Sequence, residues 1–341
     1  MRKYLLPEGG KFYKANLHCH TNISDGQLTP VQVKEHYVDH GYSIIAYTDH
    51  DIMLGHSDLN DDNFLALTGF ELEFGPPPEE RTIYGWKACH ICYIALEADN
   101  LTMPMWERSG RYLFCQNQKD NAPFVKFDEN EPDYIRRYTV DGISEAMRIG
   151  REKGFFVTYN HPVWSGETFE EYGHYEGMNA MEICNYGCYF GGLPEYNAKV
   201  YDDILRTGKR IYCIGTDDNH SPYDTFGAFT MIKADKLEYR EITKALEAGN
   251  FYASMGPEIH DLYVEDDYVY ITCSPAKKIS FSTGYYRGYT SGVSYAKDGE
   301  YLTEAKFKID PKCTYFRLTV TDEHGLHANT NAYFCDEVFD K

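Results

Sequence analysis

Short runs of β-branched and aromatic residues recur along the chain, each closing on a polar cluster, and several are followed by helical spacing with recognisable caps. The runs cover 12–20, 43–50, 64–71, 89–96, 155–161, 179–184 and 210–218, which predicts seven strands. Between the first two, Thr29 as N-cap, Pro30 at the first helical position and Gly41 just past the end predict a helix over 30–40. The stretches 143–153, 194–207 and 237–248 read the same way, stopped by Gly154, Gly208 and Gly249. Strands that alternate with helices imply a parallel sheet, open or closed.

After about Ser254 the pattern changes. The stretches 262–274, 278–283 and 315–321 read as short alternating strands with Gly and Pro turns between them and no helix signal. The expectation is two domains: an α/β domain over 1–256 and a small all-β, sandwich-like domain over 257–341. The stretches 75–88 and 105–140 are long connections, a kind of segment that often covers a functional site. There is no internal repeat and no low-complexity tract.

Composition narrows the class. With 341 residues, 43% of them hydrophobic, the chain can bury a sizeable core. The opening Met-Arg-Lys-Tyr-Leu-Leu is cut short by Pro7, Glu8 and two glycines before a signal-peptide core forms, and no later run reaches the ~20 apolar residues of a membrane span. The ten cysteines show no framework spacing, and Cys89, Cys92, Cys184 and Cys213 lie in strand-like apolar runs, as buried thiols of a reducing cytoplasm do. Cys89 and Cys92 form a Cys-x-x-Cys, but residues three apart on a strand point to opposite faces. The net charge of −20 argues against a nucleic-acid polymer or an anionic membrane as partner. An acidic protein can still take an anion if bound cations reverse the local sign. The 31 Tyr and 19 Phe are first of all packing residues.

The polar clusters at the strand ends carry the chemistry. His18-Cys19-His20 closes the first run, and the period of two puts both imidazoles on one face. The remaining runs end in or carry Thr48-Asp49-His50-Asp51, Phe70-Glu71, Cys89-His90, Asn160-His161-Pro162, Met181-Glu182 and Asp217-Asp218-Asn219-His220. In parallel sheets, sites assemble at the carboxyl ends of the strands, so these side chains are expected to converge.

With these residues the sequence resembles the PHP superfamily, named for its polymerase and histidinol phosphatase members. Asn16-Leu17-His18-Cys19-His20-Thr21 with Ser24-Asp25-Gly26 is similar to the first family motif, Thr48-Asp49-His50 to the second, Asn160-His161-Pro162 to the third and Asp218-Asn219-His220-Ser221 to the fourth. The likeness covers residues 10–255. It implies a distorted (β/α)7 barrel holding two to three divalent ions. By the resemblance, His18, His20, Glu71 and Asp218 hold the first ion, Glu71, His90 and His161 the second, and Asp25, His50 and His220 the third. Glu71, Asp218 and His220 are the catalytic candidates among them. Asp217 stands beside Asp218, and the Asp218-x-His220 spacing favours Asp218 as the ligand.

The chemistry makes sense independently. Two cations ~3.5–4 Å apart can share a hydroxide, lower the pKa of its parent water and stabilise charge on phosphoryl oxygens during in-line attack. Mixed imidazole and carboxylate ligands suit Mn, Fe or Zn. Substrate contacts are sought in the connections: Arg81 for bidentate contact with phosphate, His56 on a loop beyond the second motif, and Trp164 to stack on a base or sugar. The expected function is hydrolysis of a phosphate mono- or diester of a small metabolite by a metal-bridged hydroxide. An amide or lactone hydrolase on the same metals is the alternative, kept open by the few cations in the loops. A non-catalytic, metal-stabilised binding module is a third reading.

Overall fold

The computed structural model describes residues 2–76, 86–284 and 290–339. In chain order the strands are β1 (Lys3–Tyr4), β2 (Lys11–Asn16), β3 (Ile44–Tyr47), β4 (Leu65–Phe74), β5 (Cys89–Ala95), β6 (Phe155–Tyr159), β7 (Ala180–Asn185), β8 (Tyr212–Thr216), β9 (Phe229–Ala234), β10 (Phe251–Ser254), β11 (Ile259–Glu265), β12 (Tyr268–Ala276), β13 (Lys278–Thr283), β14 (Thr290–Tyr295), β15 (Leu302–Lys308), β16 (Tyr315–Thr321), β17 (His327–Thr330) and β18 (Tyr333–Phe334). The seven predicted runs are β2 to β8. Helices Pro30–Val38, Val140–Glu152 and Ala198–Arg206 precede β3, β6 and β8, and Tyr239–Ala248 precedes β10. Thr29 caps the first of these by accepting from Gln32 N, with Pro30 in the first turn.

The architecture is α/β on a mixed 14-stranded sheet, not the all-parallel set of seven that the strand and helix alternation predicts. β2, β3 and β4 are parallel, and so are β6, β7 and β8. β5 is antiparallel to both its neighbours, pairing Phe74 with Cys89 on one side and Ile91 with Tyr159 on the other. An antiparallel neighbour needs no crossover helix, and period-two alternation is the same whichever way a strand runs. β9 then lies antiparallel to β2, and β10 to β9.

One apolar cluster collects Ala15 and Leu17, Ile44 and Ala46, Leu65 and Leu67, Ile94, Phe156, Ala180, Ile214 and Ile232, so the sheet curls around a single inner face. The chain segments that follow β2 and β8 approach each other. Cys19 and Asn219 form a parallel bridge there, with Asp218 N donating to His18 O at 3.0 Å and His20 N to Asn219 O at 3.2 Å. Helix Tyr239–Ala248 packs Ile242, Ala245 and Leu246 on the same cluster.

The C-terminal strands continue this sheet through β10, β17, β16, β13 and β14, while β1, β11, β12 and β15 make a second, antiparallel sheet of four. Leu262, Val264, Val269 and Ile271 of the small sheet pack against Ile279, Phe281, Phe316 and Leu318 of the large one. Asp266, with φ of 54°, turns β11 into β12 where the sequence pattern suggests one continuous strand. Among the described residues, no helix is long and apolar enough to cross a membrane.

Candidate metal centre

Six strands deliver nine side chains to one place. β2 runs into His18 and His20, both fully buried, and the loop that follows carries Asp25. β3 leads to His50, which forms a parallel bridge with Glu71 of β4. His161 follows β6, and Asp218 and His220 follow β8. His90 is second in β5, and because that strand runs backwards its amino end lies at the carboxyl ends of the others.

Glu71 is at the centre. Its Oε1 lies 3.2 Å from His18 Nε2, 3.3 Å from His90 Nδ1 and 3.4 Å from His161 Nε2, and its Oε2 lies 3.3 Å from His20 Nε2 and 3.2 Å from His50 Nδ1. Asp218 Oδ1 is 3.1 Å from His18 Nε2 and 3.0 Å from His20 Nε2, and the two imidazole nitrogens are 3.0 Å apart. On the outer side Asp25 approaches His220 Nε2 at 3.5 Å, His20 Nδ1 at 3.8 Å and His50 Nε2 at 4.0 Å. Four groups of ligand atoms result: His18, His20 and Asp218; His18, Glu71 and His161; His50, Glu71 and His90; and His20, Asp25, His50 and His220. The last group includes His20 beside the three residues that the resemblance assigns to a third ion.

The donor set fits divalent ions. Among the described residues, eight buried side-chain polar atoms lack a hydrogen-bond partner, and five are in this cluster: His20 Nδ1, His50 Nδ1, Glu71 Oε2, His90 Nε2 and Asp218 Oδ1. Buried polar groups are normally satisfied. Ligand atoms about 3.3 Å apart are what a tetrahedral ion with bonds of about 2.0 Å imposes, and the inner contacts have that spacing.

Charge follows the same geometry. Burial works against a proton on His20 and on His90, yet the carboxylates of Asp218 and Glu71 raise the first to about 10, and those of Glu71 and Glu73 raise the second to about 10. Burial, together with the charge on His20, lowers His50 to about 3. Burial also opposes the charge on Asp218, but His18 and His20 hold its carboxyl well below the usual range. The two inner carboxylates are thus balanced by imidazolium protons, which ions must displace to bind.

Backbone strain concentrates here. Asp51, His161 and Asp218 have φ of 58°, 25° and 52°, a region that non-glycine residues seldom adopt. Asp217 and Asp218 part company. Asp218 faces the cluster, whereas Asp217 accepts from Phe226 N at 2.8 Å, Gly227 N and Ala228 N at 3.0 Å and Tyr37 Oη at 2.9 Å. Asp217 therefore fastens the loop that carries His220 to the start of β9.

A cavity of about 650 Å³ opens on the cluster, lined by Asp25, His50, Glu71, His90, His161, Asp218 and His220 together with Glu73, Phe114, Trp164, Cys188 and Asp224. Trp164 is half exposed and packs on His90 and His161, with ring centres 4.7 and 4.9 Å away. His56 is not brought to it. It lines a separate cavity of about 580 Å³ with Phe64, Leu101 and Tyr239, its ring against Tyr47. The loop after the second motif turns away from the strand ends, so nearness in sequence does not become nearness in space. Arg81 lies outside the described residues.

Sequence reasoning missed the residues that hold the ligands in place. Asn160 donates to Glu71 Oε1 at 2.8 Å, and fully buried Glu195 accepts from Val163 N and Trp164 N. Asp49 accepts from Thr21 N and Oγ1 and from Ser24 Oγ, bracing the loop of Asp25. Arg136 reaches from the 105–140 connection to pair with Asp51 and donates to Glu73 O at 2.8 Å. Asn160 and Asp49 sit inside the motifs and could have been found there, but nothing in the sequence points to Arg136 or Glu195.

No protein-family model matches the chain, and no curated protein matches it. Among solved structures, it is similar to a two-domain protein from Bacteroides vulgatus containing a predicted PHP-like metal-dependent phosphoesterase, at 17% identity and a TM-score of 0.45 over 97% of this chain and 90% of that one. It is also similar to an amidohydrolase from Chromobacterium violaceum (17% identity, TM-score 0.44, 70% and 96% covered) and to a lesion-specific endonuclease from Pyrococcus furiosus (12%, 0.38, 70% and 56%).

Proposed function

We propose that the chain is a metal-dependent hydrolase of the PHP superfamily that cleaves a phosphate mono- or diester of a small metabolite. The observation that carries this reading is the convergence of nine imidazole and carboxylate ligands from six strands around Glu71, seven of them lining one cavity. In it, His18, His20, Glu71 and Asp218 would hold one ion, Glu71, His90 and His161 a second, and Asp25, His50 and His220 a third, and the curled sheet is a distorted barrel. Divalent ions there would acidify a water and offset charge on phosphoryl oxygens. The chain's own residues keep the ligand atoms at ion spacing, hold His18 in one tautomer through Glu182, and close the cavity wall with Phe114 and Trp164. Residues 1–256 would form the hydrolase and 257–341 a β-rich companion, in a cytoplasmic protein.

A second reading, hydrolysis of an amide or lactone, is favoured by one feature: among the described residues, the cavity lining contains no Lys or Arg. A panel of phosphomonoesters, cyclic phosphates, diesters, oligonucleotides and lactones with added Mn separates the two. Protein purified without chelator should carry two to three Mn, Fe or Zn ions per chain. Less than one ion per chain after reconstitution would overturn both readings.

A further inference from the structure

Besides Arg136, the long 105–140 connection reaches the centre through a turn and short helix over residues 113–121 (helix Gln116–Asn121). Gln118 within it is fully buried although its neighbours are exposed. Its Oε1 accepts from Phe114 N at 2.8 Å and Cys115 N at 3.0 Å, and its Nε2 donates to the carbonyl of His50 at 2.8 Å. The oxygen alone would be an ordinary helix cap. The nitrogen does something else: it joins the connection to the backbone of a candidate ligand.

The same turn holds the other loop of the outer ligand group. Asn117 Nδ2 donates to Ser24 O at 3.1 Å and Cys115 Sγ to the same carbonyl at 3.3 Å, one residue before Asp25. Asp25 and His50 come from different loops, and this turn bonds to both. It also sets the cavity wall. Phe114, held by Gln118 through its N–H, is 54% exposed, lines the cavity and meets the His50 ring with centres 5.4 Å apart. Among the described residues the turn makes no hydrogen bond to His18, Glu71 or His161, which are fixed instead by Glu182 and Asn160.

We propose that Gln118 is a positioning residue that sets the outer ligand group of Asp25, His50 and His220 and the Phe114 wall together, so that loading of the outermost ion and binding of substrate depend on one buried amide. The proposal rests on the metal-hydrolase reading above. The physical basis is direct: a buried carbonyl that loses its donor is left unsatisfied, so the His50 backbone shifts to find another, and groups behind the ligands typically govern metal affinity by 10- to 100-fold.

The test uses the full chain and Mn alone. Gln118→Met keeps the side-chain length and removes all three bonds, Gln118→Glu keeps the acceptor and removes the donor, and Asn117→Ala alters an exposed side chain that cannot compromise folding. Expected is a dissociation constant for the most weakly held ion about tenfold higher in each variant, with the tighter ions retained. For the substrate found in the panel, KM rises in Gln118→Met, where Phe114 is released, more than in Asn117→Ala. A role in stability alone would lower the melting temperature and leave every ion affinity unchanged, and that result would overturn the proposal, as would unchanged affinity in Asn117→Ala and Gln118→Glu should Gln118→Met fail to fold. Three ions in the parent with variants unaffected sinks only this inference, whereas less than one ion per chain in the reconstituted parent sinks the hydrolase reading with it.

Discussion

Nδ1 of His18 donates to Glu182 Oε1 at 2.7 Å, which leaves Nε2 of the same ring facing Glu71 and Asp218. Glu182 is fully buried and collects three further donors, Thr216 Oγ1 at 2.6 Å, His161 N at 2.8 Å and Asn185 Nδ2 at 2.9 Å. Every one of its partners donates, so an amide nitrogen in place of either oxygen meets a donor. Glu182→Gln is therefore expected to weaken ion binding about tenfold while the β2 and β7 ladders persist, read by competition with a chelating dye. Unchanged affinity would show that His18 is held by other means.

Removing the central carboxylate has a larger effect. Glu71 touches five imidazoles, so Glu71→Gln should lower turnover by roughly a hundredfold or more without changing the circular dichroism spectrum. A near-parental rate would place the shared ligand elsewhere.

The adjacent aspartates offer a sharper comparison. Asp218→Asn should lose metal and activity together, because its Oδ1 lies within 3.1 Å of two imidazoles. Asp217→Asn should keep most of its metal and lose activity only in part, since that carboxylate holds the 226–228 backbone. Metal analysis that gave the reverse order would contradict the ligand assignment.

Stability should depend on pH through Glu167, which is away from the ligands. Its buried carboxyl accepts from Tyr159 Oη at 2.6 Å, from Tyr138 Oη at 3.1 Å and from Tyr175, and burial still raises it to about 7. A carboxyl raised above its unfolded value of 4.5 contributes stability that is fully present below pH 4.5 and is lost as pH rises through 7. The shift corresponds to on the order of 3 kcal/mol. Melting temperatures between pH 5 and 8 should therefore fall more steeply in the parent than in Glu167→Gln, and parallel curves would refute the assignment.

What the sequence revealed depended on distance along the chain. His18 and His20 were legible because a period of two places both on one face, and the seven runs appear as β2 to β8 because each is a short β-branched or aromatic run closing on a polar cluster. The direction of β5 was not legible, since alternation carries no arrow. His56 looked close because it follows the second motif by a few residues, but its loop turns away. Gln118 and Arg136 left no trace, because each acts through long-range contacts that no local spacing encodes.

β1 pairs Lys3 with Val264 and Tyr4 with Tyr263, and so takes the edge of a sheet whose other strands all come from the far end of the chain. During synthesis this segment leaves the ribosome long before its partner strand exists. The small sheet is then the last part of the molecule to be completed, and contacts of such long sequence separation form slowly. In a refolding experiment followed by hydrogen exchange, the amides of β1 and β11 should gain protection after those of β3 and β4, whose pairing partners are close neighbours in the chain.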